Sequence, residues 1–84
     1  MPRALAYAHQ LVPREARGAV EQSWRERRNK LASRGCHYWI FQSPTDDTEF
    51  LEFIEAKDAA TLAGACEDAG LGPSDPIYLE VELP

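Results

Sequence analysis

Eighty-four residues, 44% hydrophobic and 27% charged, are expected to form a single domain over residues 1–84, because two domains would each be too short to hold a hydrophobic core without disulfides or metal. Nine basic and fourteen acidic residues leave a net charge of −5, which argues against a nucleic-acid partner whose phosphates would need neutralising. No stretch approaches the roughly eighteen apolar residues of a membrane span, so no membrane partner is expected either.

The charge is unevenly placed. Residues 1–37 carry eight Lys/Arg against three Glu, and residues 38–84 carry one Lys against eleven Asp/Glu. Halves of opposite sign attract when they fold together. The opening MPRALAYAHQ lacks the continuous apolar region of a secretory signal, so a cytoplasmic location is expected. Cys36 and Cys66 are the two cysteines, with no CxxC pair, so neither a metal site nor a disulfide framework is indicated. Buried reduced thiols are the expectation for that compartment, with a single bridge between them as the alternative.

From Arg3 to Val12 the residues alternate, with Leu5, Tyr7, His9 and Leu11 on one face and Ala4, Ala6, Ala8 and Val12 on the other, a strand largely apolar on both faces. Pro13 interrupts the ladder and suits the start of a helix. The helix that follows places Ala16, Val20, Trp24, Arg28 and Leu31 at helical spacing, with Ala19 and Arg27 beside them. Gly35 supplies its stop.

CHYWIFQ and FLEFIEA, separated by Ser43-Pro44-Thr45-Asp46-Asp47-Thr48, read as a hairpin. Centring the turn on Asp46 pairs Phe41 with Leu51, Trp39 with Phe53 and His37 with Glu55 on one face. The other face then pairs Gln42 with Phe50, Ile40 with Glu52, Tyr38 with Ile54 and Cys36 with Ala56. Asp58 caps a second helix with a narrow stripe of Leu62, Ala65, Cys66 and Ala69, ended by Gly70. After a loop with Gly72, Pro73 and Pro76, the alternation of Ile77, Leu79, Val81 and Leu83 marks a last strand.

Strand, helix, strand, strand, helix, strand is the order of the α+β ferredoxin-like βαββαβ fold, a four-stranded antiparallel sheet with two helices on one face. The hairpin, however, carries large apolar groups on both faces, and one chain covers only one. Trp39, Phe41, Leu51 and Phe53 are assigned to the helices because no charge interrupts them. Tyr38, Ile40, Phe50 and Ile54, with Tyr78 of the last strand, are assigned to a homodimer interface in which the open face meets a second copy by two-fold symmetry.

The segment GCHYWIFQSPTDDTEFLEFIEAKDAATLAGA, Gly35 to Ala65, resembles the dimeric α+β barrel superfamily, and within it the small domains similar to antibiotic biosynthesis monooxygenases. The resemblance implies a homodimer closed through its sheets into a barrel, with a pocket in each subunit between sheet and helices. It also implies a choice of activities that includes cofactor-independent oxygenation of polyphenolic substrates, haem degradation and isomerisation. The site residues of the haem-degrading and polyketide-oxidising members do not transfer. Asn29 lies on the first helix, Trp39 lies on the second strand, and the second helix has no His.

The candidate chemistry rests on four residues. His37 opposite Glu55 could be a general base with its tautomer fixed by a carboxylate, or a solvated surface pair. His9 shares a face with Tyr7 on a central strand, where the pair could line a pocket or be satisfied within the core. Glu52 sits between apolar residues, where a bare carboxylate is costly; it must reach an Arg or Tyr or face a wet cavity, and Tyr78 and Glu80 have the parity to approach it. Tyr7, His9, Trp24, Trp39 and Phe53 are the candidate ligand-binding set, with core packing as the alternative for the aromatics. The run WRERRNK reads as a solvated face meeting acidic strands, or else as a site for an acidic ligand. Two readings follow: a homodimeric barrel that binds a hydrophobic or aromatic small molecule, acting without a cofactor as a monooxygenase or isomerase, or a non-catalytic dimerisation or binding domain.

Overall fold

The computed structural model describes residues 3–70, 77–81 and 83. Strand β1 spans Ala4–Leu11, helix α1 Arg17–Ser33, strands β2 and β3 His37–Gln42 and Glu49–Ala56, helix α2 Ala59–Asp68 and strand β4 Ile77–Leu79. The sheet is ordered β2-β3-β1-β4, and each neighbouring pair runs antiparallel. Both helices pack on the same face, and the chain has the α+β ferredoxin-like fold.

Local chemistry accounts for the element boundaries. Pro13 sits outside the long helix, its carbonyl accepting from Ala16 N–H at 2.9 Å to close a 3-10 turn over Arg14–Ala16 before α1 begins. Gly35, at φ 75°, takes the left-handed conformation that lets the chain leave α1. The hairpin turn is fastened by Asp46, whose Oδ1 accepts from the backbone N–H and hydroxyl of Thr48 at 2.9 and 2.6 Å, an Asx turn. Asp58 caps α2 by accepting from Thr61 N–H at 2.7 Å.

The expected hairpin register holds at each of its six β2–β3 pairs from His37↔Glu55 to Gln42↔Phe50. The assignment of its faces does not. Phe50 and Ile54 are 1% exposed and packed beneath the helices, whereas Trp39 and Phe41 are 43% and 52% exposed on the opposite face. The expectation that Tyr38, Ile40, Phe50 and Ile54 form an intermolecular face is therefore corrected. These four join the internal core, Tyr38 and Ile40 as half-buried walls.

Closeness of approach and charge compensation explain the reversal. On β1 the helix-facing residues are Ala4 and Ala6, opposite Ala56 and Ile54 of β3, and α2 meets them with Leu62, Ala65, Cys66 and Ala69. Small side chains on both surfaces let helix and sheet close to packing density. Tyr7 and Leu5, in the same strand, would hold a helix off. Full burial of a side chain such as Leu62 or Ile54 contributes about 1.5–3 kcal/mol. The single carboxylate on this face among the described residues, Glu52, is neutralised by Arg27 of α1, which removes the objection to burying it.

Two further expectations change. The inward stripe runs from Ala16 of the 3-10 turn through Val20, Trp24 and Leu31 of α1, with Arg27 half-buried alongside and Arg28 exposed. The last strand is paired to β1 only at Ile77–Leu79, followed by one further hydrogen bond from Glu80 N–H to Arg3 O at 2.8 Å; Val81 and Leu83 are exposed. The loop containing Gly72, Pro73 and Pro76 lies outside the described residues. Both cysteines are buried in the core, and burial pushes the Cys36 thiol up from its ordinary value.

Candidate functional site

The sheet presents two chemically distinct faces. On the helix side, alternation along β3 turns Phe50, Glu52 and Ile54 inward, and the β2 register sets Ile40 and Tyr38 beside them. From α1, Trp24 and Arg27 descend onto the same patch, three residues apart and so on neighbouring positions of one helix face.

At its centre Glu52 is completely buried. Its Oε1 accepts from the Tyr38 hydroxyl and from Nη1 of Arg27. This is one of the alternatives that the sequence left open, that Glu52 reaches an Arg or a Tyr; it reaches both. Glu52 Oε2, Arg27 Nε and Trp24 Nε1 are also buried, without hydrogen-bond partners among the described residues. Buried polar atoms without a protein partner are uncommon in folded proteins, and here three belong to residues of one patch.

Burial first, and then the hydrogen bond donated to Glu52, push the Tyr38 phenol well above the ordinary tyrosine value. A group whose folded value is raised contributes stability that is fully present below its unfolded value and is lost as pH climbs toward the folded one. The fold is accordingly expected to weaken progressively above about pH 10. In denaturant titrations at stepped alkaline pH, Tyr38→Phe should show a flatter decline than the parent; identical slopes would contradict the assignment.

Beside this network α1 and β2 part to form a cleft of about 330 Å³, lined by Glu21, Trp24, Arg25, Arg28, Tyr38 and Ile40. Its walls combine an indole, a phenol and an aliphatic side chain with charged groups from α1. Three of its six lining residues are charged, and its volume lies at the lower end of small-molecule sites.

The opposite face of the sheet is aromatic and open. Tyr7 stacks on Tyr78 with ring centroids 5.5 Å apart and packs against Phe53 at 6.0 Å, Phe41 meets Phe53 edge-on at 5.7 Å, and His37 stacks on Trp39 at 5.9 Å. His9 is exposed here, 3.7 Å from Glu49. His37 stands opposite Glu55 in register, but Glu55 is bound by Arg3 at 2.9 Å, and His37 makes no ion pair among the described residues.

The candidate ligand-binding set is thus divided by the sheet: Tyr7, His9, Trp39 and Phe53 lie on the open face and Trp24 on the helix side. The expected interface set is divided in the same way, with Tyr78 alone on the open face, stacked on Tyr7. Tyr78 and Glu80 do not approach Glu52, because Glu80 pairs with Arg3 at 2.6 Å. Of the four candidate catalytic residues, only Glu52 adjoins the cleft network. The residue with which sequence reasoning did least is Arg27. The available signal was its place on the inward stripe, three residues after Trp24 and four before Leu31, where a charge persists only with a buried partner.

The fold has counterparts among solved structures. A conserved protein of unknown function from Bacteroides thetaiotaomicron, described as a possible oxidoreductase, matches with a TM-score of 0.68 and 18% identity over 94% of each chain. An antibiotic biosynthesis monooxygenase matches with a TM-score of 0.65 and 22% identity over 100% of both chains. A protein from Mycobacterium tuberculosis matches with a TM-score of 0.61 and 15% identity over 100% of this chain and 97% of its own. No protein-family model and no curated protein sequence matches the chain. The fold is therefore that of the antibiotic-biosynthesis-monooxygenase-like domains, as the resemblance of Gly35–Ala65 implies.

Proposed function

We propose that this chain is a small homodimeric barrel protein that binds a hydrophobic or aromatic small molecule in the cleft between α1 and β2, and acts on it without a cofactor as a monooxygenase or isomerase. The observation that carries the reading is the fully buried Glu52, tied to Tyr38 and Arg27, beside a cleft walled by Trp24, Tyr38 and Ile40. Isomerisation and cofactor-independent oxygenation both begin by removing a proton from an acidic carbon or phenol. In the first the proton returns at another position; in the second the resulting carbanion reduces dioxygen and forms a C–O bond, and the hydroperoxide then loses water to leave a carbonyl. Glu52, buried behind Tyr38 rather than lining the cleft, takes that proton in this proposal once a ligand parts the cleft wall, with Tyr38 and Arg27 holding its other oxygen in place. The fold shared with an antibiotic biosynthesis monooxygenase lends the reaction class its support.

The dimer in this proposal closes through the open face, where Tyr7, Trp39, Phe41, Phe53 and Tyr78 form an aromatic surface larger than isolated exposed residues require. That same surface favours a second reading, a domain whose role is assembly alone. A thermal-shift screen of flat phenols and quinols separates the two. Aromatic ligands are expected to raise the unfolding midpoint in the parent, and a flat response across the screen, with the chain still dimeric, would leave only the assembly reading.

A further inference from the structure

We infer that the cleft selects planar aromatic monoanions, arylcarboxylates above all, with Arg28 as the counter-ion; this deepens the ligand reading above and rests on it. The chain is acidic overall at −5, yet the rim of this cleft is basic. Glu21, the only acid among the lining residues, already has its charge shared: Arg17 donates to it at 2.7 Å and Arg25 stands 3.9 Å away. Arg25 also donates to Gln22 at 3.3 Å. Arg28 makes no hydrogen bond or ion pair among the described residues, and its side chain lines the cleft.

Arg28 lies four residues after Trp24 on α1, so the two side chains are neighbours on one helix face, one turn apart. A ligand whose ring meets Trp24, Tyr38 and Ile40 therefore has its charged end at the guanidinium, which matches a carboxylate with two parallel hydrogen bonds. Size narrows the class further. A cleft of about 330 Å³ accepts one or two fused rings and leaves no room for a nucleotide, and one unpaired arginine balances one charge. The neighbouring Arg27–Glu52 pair cancels its own charge, so the charged residues of the lining set the sign.

The test is calorimetric titration of the intact protein with 1-naphthoate and with 1-naphthalenemethanol, which share the ring and differ in charge. The carboxylate is expected to bind about tenfold more tightly, the scale of one charge-assisted hydrogen bond. Arg28→Gln, a swap between exposed good helix formers, should bring the two affinities together by weakening the carboxylate alone. Arg14→Gln, which breaks an exposed pair with Asp47 at the hairpin turn, should change neither. Equal affinities in the parent, or an unchanged preference in Arg28→Gln, would overturn the inference while leaving the aromatic-ligand reading standing. Failure of both compounds to bind would overturn both.

Discussion

Replacing Arg27 with Ala is expected to destabilise the fold by about 3–5 kcal/mol, the usual loss when one partner of a buried ion pair is removed and the other is left without its counter-charge. Glu52 has no exposed surface, and without Arg27 its remaining hydrogen bond comes from the Tyr38 hydroxyl. In an 84-residue domain whose total stability is expected to be only about 5–15 kcal/mol, such a loss is close to the limit of foldability. The double variant Arg27→Ala, Glu52→Gln keeps an acceptor for Tyr38 and removes the stranded charge, and should recover a substantial part of the loss. Urea titrations of the parent, both single variants and the double variant supply the cycle. A single Arg27→Ala variant within about 1 kcal/mol of the parent would mean that water reaches Glu52 and that the pair is not a structural necessity.

Phe41→Glu is expected to dissociate the proposed homodimer, raising its dissociation constant about a thousandfold or more. Two-fold symmetry places two copies of every substituted residue in the interface, so one substitution brings two unpaired carboxylates into an apolar contact. Phe41 is half exposed within one chain and touches Phe53 edge-on, so the monomer fold should lose little. Gln22→Glu adds the same charge on the wet side of α1 and should leave assembly unchanged. Sedimentation velocity across a concentration series reads both variants. A parent chain that sediments as a monomer at micromolar concentration would overturn the dimer itself.

These two results probe opposite faces of one sheet, and the difference between the faces is where sequence reasoning met its limit. Alternation made the pairing of β2 with β3 readable, because a slip of one residue would mix the two sets of side chains. The Asp58 cap and the α2 stripe were equally legible, each being a local pattern. For Glu52 the sequence narrowed the answer to an Arg, a Tyr or a wet cavity, since a lone buried carboxylate is too costly to stand. The resemblance implied a pocket between sheet and helices, and Trp24 was among the candidates, but the rest of the cleft lining was not legible, because its walls come from α1 and β2 and its depth depends on how the two are set apart.

The sequence by itself determined the order of elements, the hairpin register and the existence of two apolar faces, all of which depend on neighbours along the chain or directly across a ladder. Tertiary structure decided which face the helices cover. Counting charge favoured Trp39, Phe41, Leu51 and Phe53, but Ala4 and Ala6 of β1 and the small residues of α2 allow close approach only on the other side, and Arg27 supplies there the charge that Glu52 requires. Steric fit and a long-range ion pair act between distant segments, and neither is written in the periodicity of any one of them.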